Sequence, residues 1–197
     1  MSSKTPGRQI AMASLLLLWG LIGSTFLVYW GLQHAAIRTP DRREAVATGE
    51  WEVTHFLAAN CPCSRSLAAE WTLRDGEQVI LLGRDDEFLA DLRRRFGERV
   101  SSLDPEDAFR SFGVHGAPCL VISDPTGTVR YAGGYSNRRP GFLSPTSAVS
   151  LAARVVRGET VAPYPVYGCA TAKLARRAQD PLGLFESARQ ADQETGE

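Results

Sequence analysis

Cys61, Cys63 and Ser64 crowd one short stretch of this chain, with Pro62 between the two cysteines, and two thiols so placed are of a type that does redox or metal chemistry. The apolar run Phe56-Leu57-Ala58-Ala59 leads into them, so a strand feeding a helix is the expected local structure. In that arrangement Cys61 takes the N-cap and Pro62 takes N1, where its missing N–H costs nothing. Cys63 and Ser64 then fall at N2 and N3. The unpaired N–H groups and partial positive charge of a helix N-terminus favour thiolate over thiol, which makes Cys61 the candidate nucleophile. A Cys61–Cys63 disulfide lies within reach of i and i+2 α-carbons, but so tight a ring is strained and readily reduced.

Two more cysteines, Cys119 and Cys169, complete the set, and four cysteines allow three full pairings between which sequence does not choose. Cys169, in Gly168-Cys169-Ala170-Thr171, can resolve an oxidised Cys61 or Cys63, pair with Cys119, or stay idle. Cys119 opens an apolar run and fits a buried, inert strand residue better than a partner of Cys61. The competing chemistry is a soft metal such as Cu(I), held by Cys61 and Cys63 with His115 or Cys119 as a further donor.

These residues need a scaffold, and the chain supplies one. Strand composition marks residues 51–58, 77–82, 119–123 and 128–132; helical patterning marks 64–71, 86–96, 104–112 and 147–156. Over 86–96, Phe88, Leu89, Leu92 and Phe96 fall on one face. Alternating strands and helices imply parallel pairing, while Asp124-Pro125-Thr126-Gly127 joins the last two strands as a hairpin. Residues 158–168 read as ordered packing, and 179–197 as a polar tail.

Residues 51–158 resemble the thioredoxin family at three places. Residues 56–61 resemble the strand entering the active-site W-C-x-x-C, with Asn60 where the Trp usually stands. Gly113-Val114-His115-Gly116-Ala117-Pro118 resembles the segment that ends in the family's cis-proline, and Cys119-Leu120-Val121-Ile122-Ser123-Asp124 with Gly127 resembles the strand and hairpin after it. The resemblance implies an α/β fold, a thioredoxin-like three-layer α/β/α sandwich with a central mixed sheet. It also implies a cis Ala117-Pro118 bond against the reactive sulfur, with the Ala117 backbone pairing to an extended substrate peptide. His55 stands where the family carries a buried acid, six residues before the reactive cysteine. Its ~6.5 unperturbed pKa suits it to take and return the Cys61 proton. A strand histidine satisfied by a backbone carbonyl is the plainer alternative.

The chain departs from the family where the chemistry lies: the second cysteine of C-x-x-C belongs at position 64, which is Ser64. The match is closer to bacterial membrane-anchored thioredoxin-like proteins with a Cys-Pro-Cys-Ser segment, a Gly-Tyr-Ser (here Gly134-Tyr135-Ser136) and a late Gly-Cys (here Gly168-Cys169). The resemblance points to a thiol-disulfide oxidoreductase without a cofactor. Cys61 attacks a protein disulfide, Ser64 donates a hydrogen bond to the thiolate, and Cys63 or Cys169 resolves the mixed disulfide. A catalytically silent interaction module is the other outcome of losing the resolving cysteine. Copper-handling relatives use C-x-x-x-C plus a distant His, and the peroxidase Pro-x-x-x-Thr-x-x-Cys is missing, because residue 58 is Ala.

The 197 residues, 44% hydrophobic and 22% charged, suit one globular domain with an appendage. That appendage is 10–32, 23 residues without a charge, long enough as a helix (about 34 Å) for a ~30 Å hydrocarbon core. The expected organisation is an N-terminal tail over 1–9, a transmembrane anchor over 10–32 and a juxtamembrane linker over 33–49. The thioredoxin-like domain follows over 50–158, then a C-terminal extension with Cys169 over 159–178 and a flexible tail over 179–197. A cleaved signal peptide has a shorter apolar region, and Gln33-His34-Ala35-Ala36 is a poor small-x-small site. Lys4 and Arg8 precede the span and Arg38, Arg42 and Arg43 follow it, so charge alone does not set orientation. A short basic N-tail and a domain carrying four cysteines suit a single pass in a bacterial inner membrane with the domain in the periplasm. A membrane or periplasmic electron donor is the matching partner. With 22 basic and 22 acidic residues there is no global field for nucleic acid, and Arg93-Arg94-Arg95 reads as a solvated helix face.

Overall fold

The computed structural model describes residues 6–33, 37, 40, 47–137 and 148–179. Residues 1–5, most of the expected linker, residue 147 and the tail beyond 179 lie outside that set. The chain divides into two compact units, one carrying a single helix and the other beginning at Ala35. The helix, α1 (Pro6–Gln33), contains the stretch Ile10–Val28 with a mean hydropathy of 2.0 and none of it buried. Among the described residues it is the one helix long and apolar enough to cross a membrane.

The second unit is built on a five-stranded mixed sheet. Its strands are β1 (Glu52–Ala58), β2 (Glu77–Leu82), β3 (Val100–Leu103), β5 (Cys119–Ser123) and β6 (Val129–Gly133), in the order β3-β2-β1-β5-β6. A separate two-stranded ladder pairs β4 (Gly116–Ala117) with β7 (Cys169–Ala170). Five helices complete the unit: α2 (Pro62–Ala69), α3 (Asp86–Phe96), α4 (Pro105–Phe112), α5 (Ala148–Val156) and α6 (Lys173–Gln179). β1 is central, parallel to β2 and antiparallel to β5, so its continuous apolar run is buried on both faces.

Strand alternation sends Val53 and Leu57 to one face of the sheet and Phe56 and Ala58 to the other. The first face is covered by Leu67 and Ala68 of α2, by Phe88, Leu92 and Phe96 of α3, and by Leu151, Ala152 and Val155 of α5. On the second face Phe56, Ala58, Ile80 and Leu82 pack with Ala108 of α4, Val114 and Cys119, and with Val166 and Ala170 from the C-terminal segment. Helices on both faces of this mixed sheet, a cysteine turn after the central strand and a cis Ala117–Pro118 bond before β5 make this a thioredoxin-like α/β/α sandwich. Each fully buried aliphatic side chain in these layers contributes about 1.5–3 kcal/mol relative to exposure.

Three details differ from the sequence expectation. α2 runs over 62–69 rather than 64–71, because Pro62 opens it as the first helical residue and Glu70 closes it. β3 follows α3 after one tight turn; its Val-Ser-Ser-Leu carries two exposed serines and does not read as a strand. Arg95 is not a purely solvated residue: its guanidinium donates to the carbonyls of Ala68 (2.7 Å) and Trp71 (3.1 Å), closing the C-terminal end of α2.

Candidate functional site

Cys61 is the N-cap of α2 with extended backbone (φ −108°, ψ 113°), and Pro62 is the first helical residue. The turn that delivers it is held by Asn60, whose φ of +55° is tolerated by Asn better than by most residues. Asp85 fixes this turn from outside. One carboxylate oxygen caps α3 by accepting from Phe88 N (3.0 Å), while the other binds the Arg65 guanidinium (2.7 Å) and lies 3.4 Å from Asn60 N. One carboxylate thus ties the Asn60–Cys61 turn and α2 to the start of α3.

The Cys61 sulfur is fully buried, its relative exposure 0%. As a thiol it points at the carbonyl oxygen of Ala117 across 3.8 Å, next to cis Pro118. As a thiolate it accepts from the Cys169 thiol, then from the Cys63 thiol, and from the backbone N–H and hydroxyl of Ser64. Burial raises the pKa and the Ala117 carbonyl favours the protonated form. Four donors outweigh those effects, and the thiol is held far below its ordinary value. Cys63 moves the opposite way: its hydrogen bond to Cys61, then burial and the Cys61 charge, push its pKa up. The pair thus splits, Cys61 favouring the thiolate and Cys63 the thiol.

Ser64, at the position of the family's second cysteine, is fully buried. Its oxygen accepts from Ala58 N at 2.9 Å, which leaves its O–H free to donate to Cys61. Cys169 arrives from far along the chain: in the β4–β7 ladder it stands opposite Ala117. The sequence-derived set of Cys61, Cys63, Ser64, Ala117, Pro118 and Cys169 therefore forms one cluster. The β4–β7 pairing that delivers Cys169 was not read from sequence, since each strand is two residues long. The isolated Gly168-Cys169 was the sole signal.

His55 is placed with a different group of residues. Its Nδ1 lies 2.9 Å from the Tyr135 hydroxyl, which itself donates to the Cys119 carbonyl (3.1 Å), so Nδ1 is the donor in that pair. Its Nε2 is 3.6 Å from the Glu77 carboxylate, and Trp71 packs on the ring at 4.4 Å. Burial pushes Glu77 up, yet the facing His55 ring and the hydrogen bond from the Arg74 N–H leave it below the ordinary carboxylate range.

Cys119 lies buried opposite Phe56 in the β1–β5 ladder, and burial alone raises its pKa. His115 stacks edge-on against Phe109 at 5.0 Å, and its backbone carbonyl accepts from Thr171 N (3.0 Å) and Ala172 N (3.2 Å). The copper reading needs a third donor beside Cys61 and Cys63. Among the described residues neither His115 nor Cys119 forms a metal-holding group with Cys61 and Cys63.

No family model and no curated protein matches the chain. Solved structures that it resembles include the hypothetical protein SMc02350 from Sinorhizobium meliloti 1021, at 14% identity and TM-score 0.47, covering 68% of this chain and 97% of that one. A thiol:disulfide interchange protein of the thioredoxin family from Chlorobium tepidum TLS matches at 18% identity and TM-score 0.37, covering 62% and 98%. A secreted Mycobacterium tuberculosis disulfide oxidoreductase matches at 16% identity and TM-score 0.37, covering 64% and 96%.

Proposed function

We propose that this chain is a membrane-anchored thiol-disulfide oxidoreductase that works through Cys61 on protein thiols or disulfides in the bacterial periplasm. The carrying observation is the convergence of donors from Cys169, Cys63 and Ser64 on one sulfur at the start of α2, beside the Ala117–Pro118 turn. A thiolate so stabilised is nucleophilic near neutral pH and is also a good leaving group, so it suits either direction of exchange. Ser64 holds the thiolate, and Cys63 and Cys169 are the two thiols within its reach. Ala117 and Pro118 shape the peptide-binding edge. His55, joined to Tyr135 and Glu77, sets the packing of β1 rather than touching the sulfur.

The apolar stretch of α1 supports anchoring, and the same length and composition serve an exported leader. Alkaline extraction of membranes, with the mass of the mature N-terminus, separates these two forms. The redox reading is tested by the pH profile of iodoacetamide alkylation of the reduced protein, followed residue by residue by mass spectrometry. Cys61 is expected to be ionised well below the ~8.5 of a free thiol. A Cys61 that titrates at or above that value defeats the reading.

A further inference from the structure

The fully buried Cys61 presents a mechanical problem for any enzyme that must meet an external disulfide. The Ala117 carbonyl lies 3.8 Å from its sulfur, and the edge of β4 beside it is already occupied by the chain's own β7, antiparallel, with Gly116 opposite Ala170 and Ala117 opposite Cys169. We propose that β7 is a displaceable strand occupying the peptide groove: the substrate is an extended protein segment that pairs on β4 in its place, and Cys169 on the returning strand resolves the mixed disulfide. This rests on the oxidoreductase reading and supplies the resolving thiol and mode of substrate entry.

Three observations carry it. Gly168 lies so close to the proline turn that a Cβ there would overlap the Ala117 carbonyl oxygen and sit 2.6 Å from Pro118 Cδ, so the backbone itself lies against the turn. The strand is two residues long, so leaving the ladder breaks few hydrogen bonds. It is tethered on both sides: Ile37 N donates to Val166 O (2.8 Å) before it, and after it Thr171 N and Ala172 N donate to His115 O, with Lys173 N on Glu106 Oε1 (2.8 Å). A tethered strand returns to the same register, which brings Cys169 back to Cys61.

The exchange balances. The Cys61 thiolate attacks one sulfur of substrate R–S–S–R′, forming Cys61–S–S–R and releasing R′S⁻, which takes a proton from water. Cys169 then gives up its proton and attacks the Cys61 sulfur. The Cys61–Cys169 disulfide forms, and RS⁻ leaves with that proton as RSH. The substrate disulfide is reduced by two electrons and the protein dithiol is oxidised by two. In the oxidised protein the disulfide pins β7 into the groove.

Glutathione disulfide is the probe, applied to the full chain in detergent micelles. Disulfides are mapped by mass spectrometry, and amide exchange is read at residues 169–172. The wild type is expected to form a Cys61–Cys169 bridge, with amide exchange over residues 169–170 slowed at least tenfold on oxidation. Cys169→Ala is expected to stop at a persistent Cys61–glutathione adduct. Gly168→Val, which lifts the strand, is expected to raise Cys61 alkylation in the reduced protein at least tenfold. A Cys61–Cys63 bridge with Cys169 still alkylatable, or an adduct in Cys169→Ala that resolves at the wild-type rate, overturns the displaced-strand proposal and leaves the redox reading standing. Failure of Cys61 to form any adduct or bridge in either variant or the wild type overturns both. The Cys169→Ala arm decides even where Gly168→Val does not fold.

Discussion

The Cys169 thiol is the foremost donor holding Cys61 ionised, so its removal has a calculable effect. A hydrogen bond to a charged group contributes ~1.5–3 kcal/mol, and ~1.36 kcal/mol corresponds to one pKa unit. An S–H is a weak donor, which puts the shift at the lower end, about one unit upward in Cys169→Ala. Cys169→Ser replaces the donor with an O–H and is expected to recover most of that shift. The assay is the pH titration of ultraviolet thiolate absorbance, each variant differenced against its Cys61→Ser counterpart. A rate at neutral pH alone misleads, because Cys61 stays ionised in both proteins. A thiolate of higher pKa is intrinsically more nucleophilic, and with a Brønsted slope of ~0.4–0.5 the plateau alkylation rate rises about threefold per unit. Cys169→Ala is therefore expected to titrate higher and yet react faster at its plateau. Equal titrations for wild type, Ala and Ser, or equal upward shifts for Ala and Ser, refute hydrogen-bond donation by Cys169 as the cause.

Asp85→Ala removes the α3 cap, the Arg65 ion pair and the anchor of the Asn60 turn together. A drop of about 1–2 kcal/mol in unfolding free energy is expected by urea denaturation, dominated by the cap because Arg65 is largely solvent-facing. His55→Ala leaves the buried Glu77 carboxylate and the Tyr135 hydroxyl each short of a partner, at a cost of about 2–4 kcal/mol by the same method. It is expected to leave the Cys61 titration unmoved, whereas a shift there would return His55 to the proton path. Linkage makes the Cys61 thiolate a pH-dependent stabiliser. Its folded pKa lies below the unfolded ~8.5, so its contribution is complete above that value and is lost as pH falls through the folded pKa. Urea midpoints of the reduced wild type are expected to rise with pH across this window more steeply than those of Cys61→Ser.

The parts of the fold that sequence revealed are those where period and punctuation agree. β2 and α3 fall at the expected residues because an apolar run and a 3.6-residue face each have a clear start: an Asp75-Gly76 turn and the Asp85 cap. α2 ends earlier than expected because Ser66-Leu67-Ala68-Ala69-Glu70-Trp71 carries no stop signal, and its end is imposed by Arg95 reaching across from α3. β3 was illegible because an edge strand only half-buried needs little apolar sequence. The N-cap position of Cys61 and the cis Ala117–Pro118 turn were legible as motifs. The environment of His55 was not, since Tyr135 and Glu77 come to it through sheet registers that span the domain.

The position of Ser64 links the lost motif to the gained strand. A resolving cysteine at that position on α2 would sit beside the sulfur it attacks, permanently in reach. Here that position holds a hydroxyl whose acceptor side is fixed by Ala58 N and whose proton serves the thiolate. The helix thus keeps the electrostatic half of the site, while position 64 itself offers no thiol. The third sulfur comes instead from β7, about a hundred residues later in the chain, through a backbone ladder on the edge where a substrate peptide would pair. Resolution and groove occupancy are then properties of the same strand. Ser64→Cys separates them: it places a thiol back on α2, so oxidation should yield a bridge between Cys61 and that introduced thiol, detectable by mass spectrometry, with β7 no longer pinned. If Ser64→Cys still oxidises to Cys61–Cys169, the strand rather than the helix dictates where the sulfur of Cys61 is met.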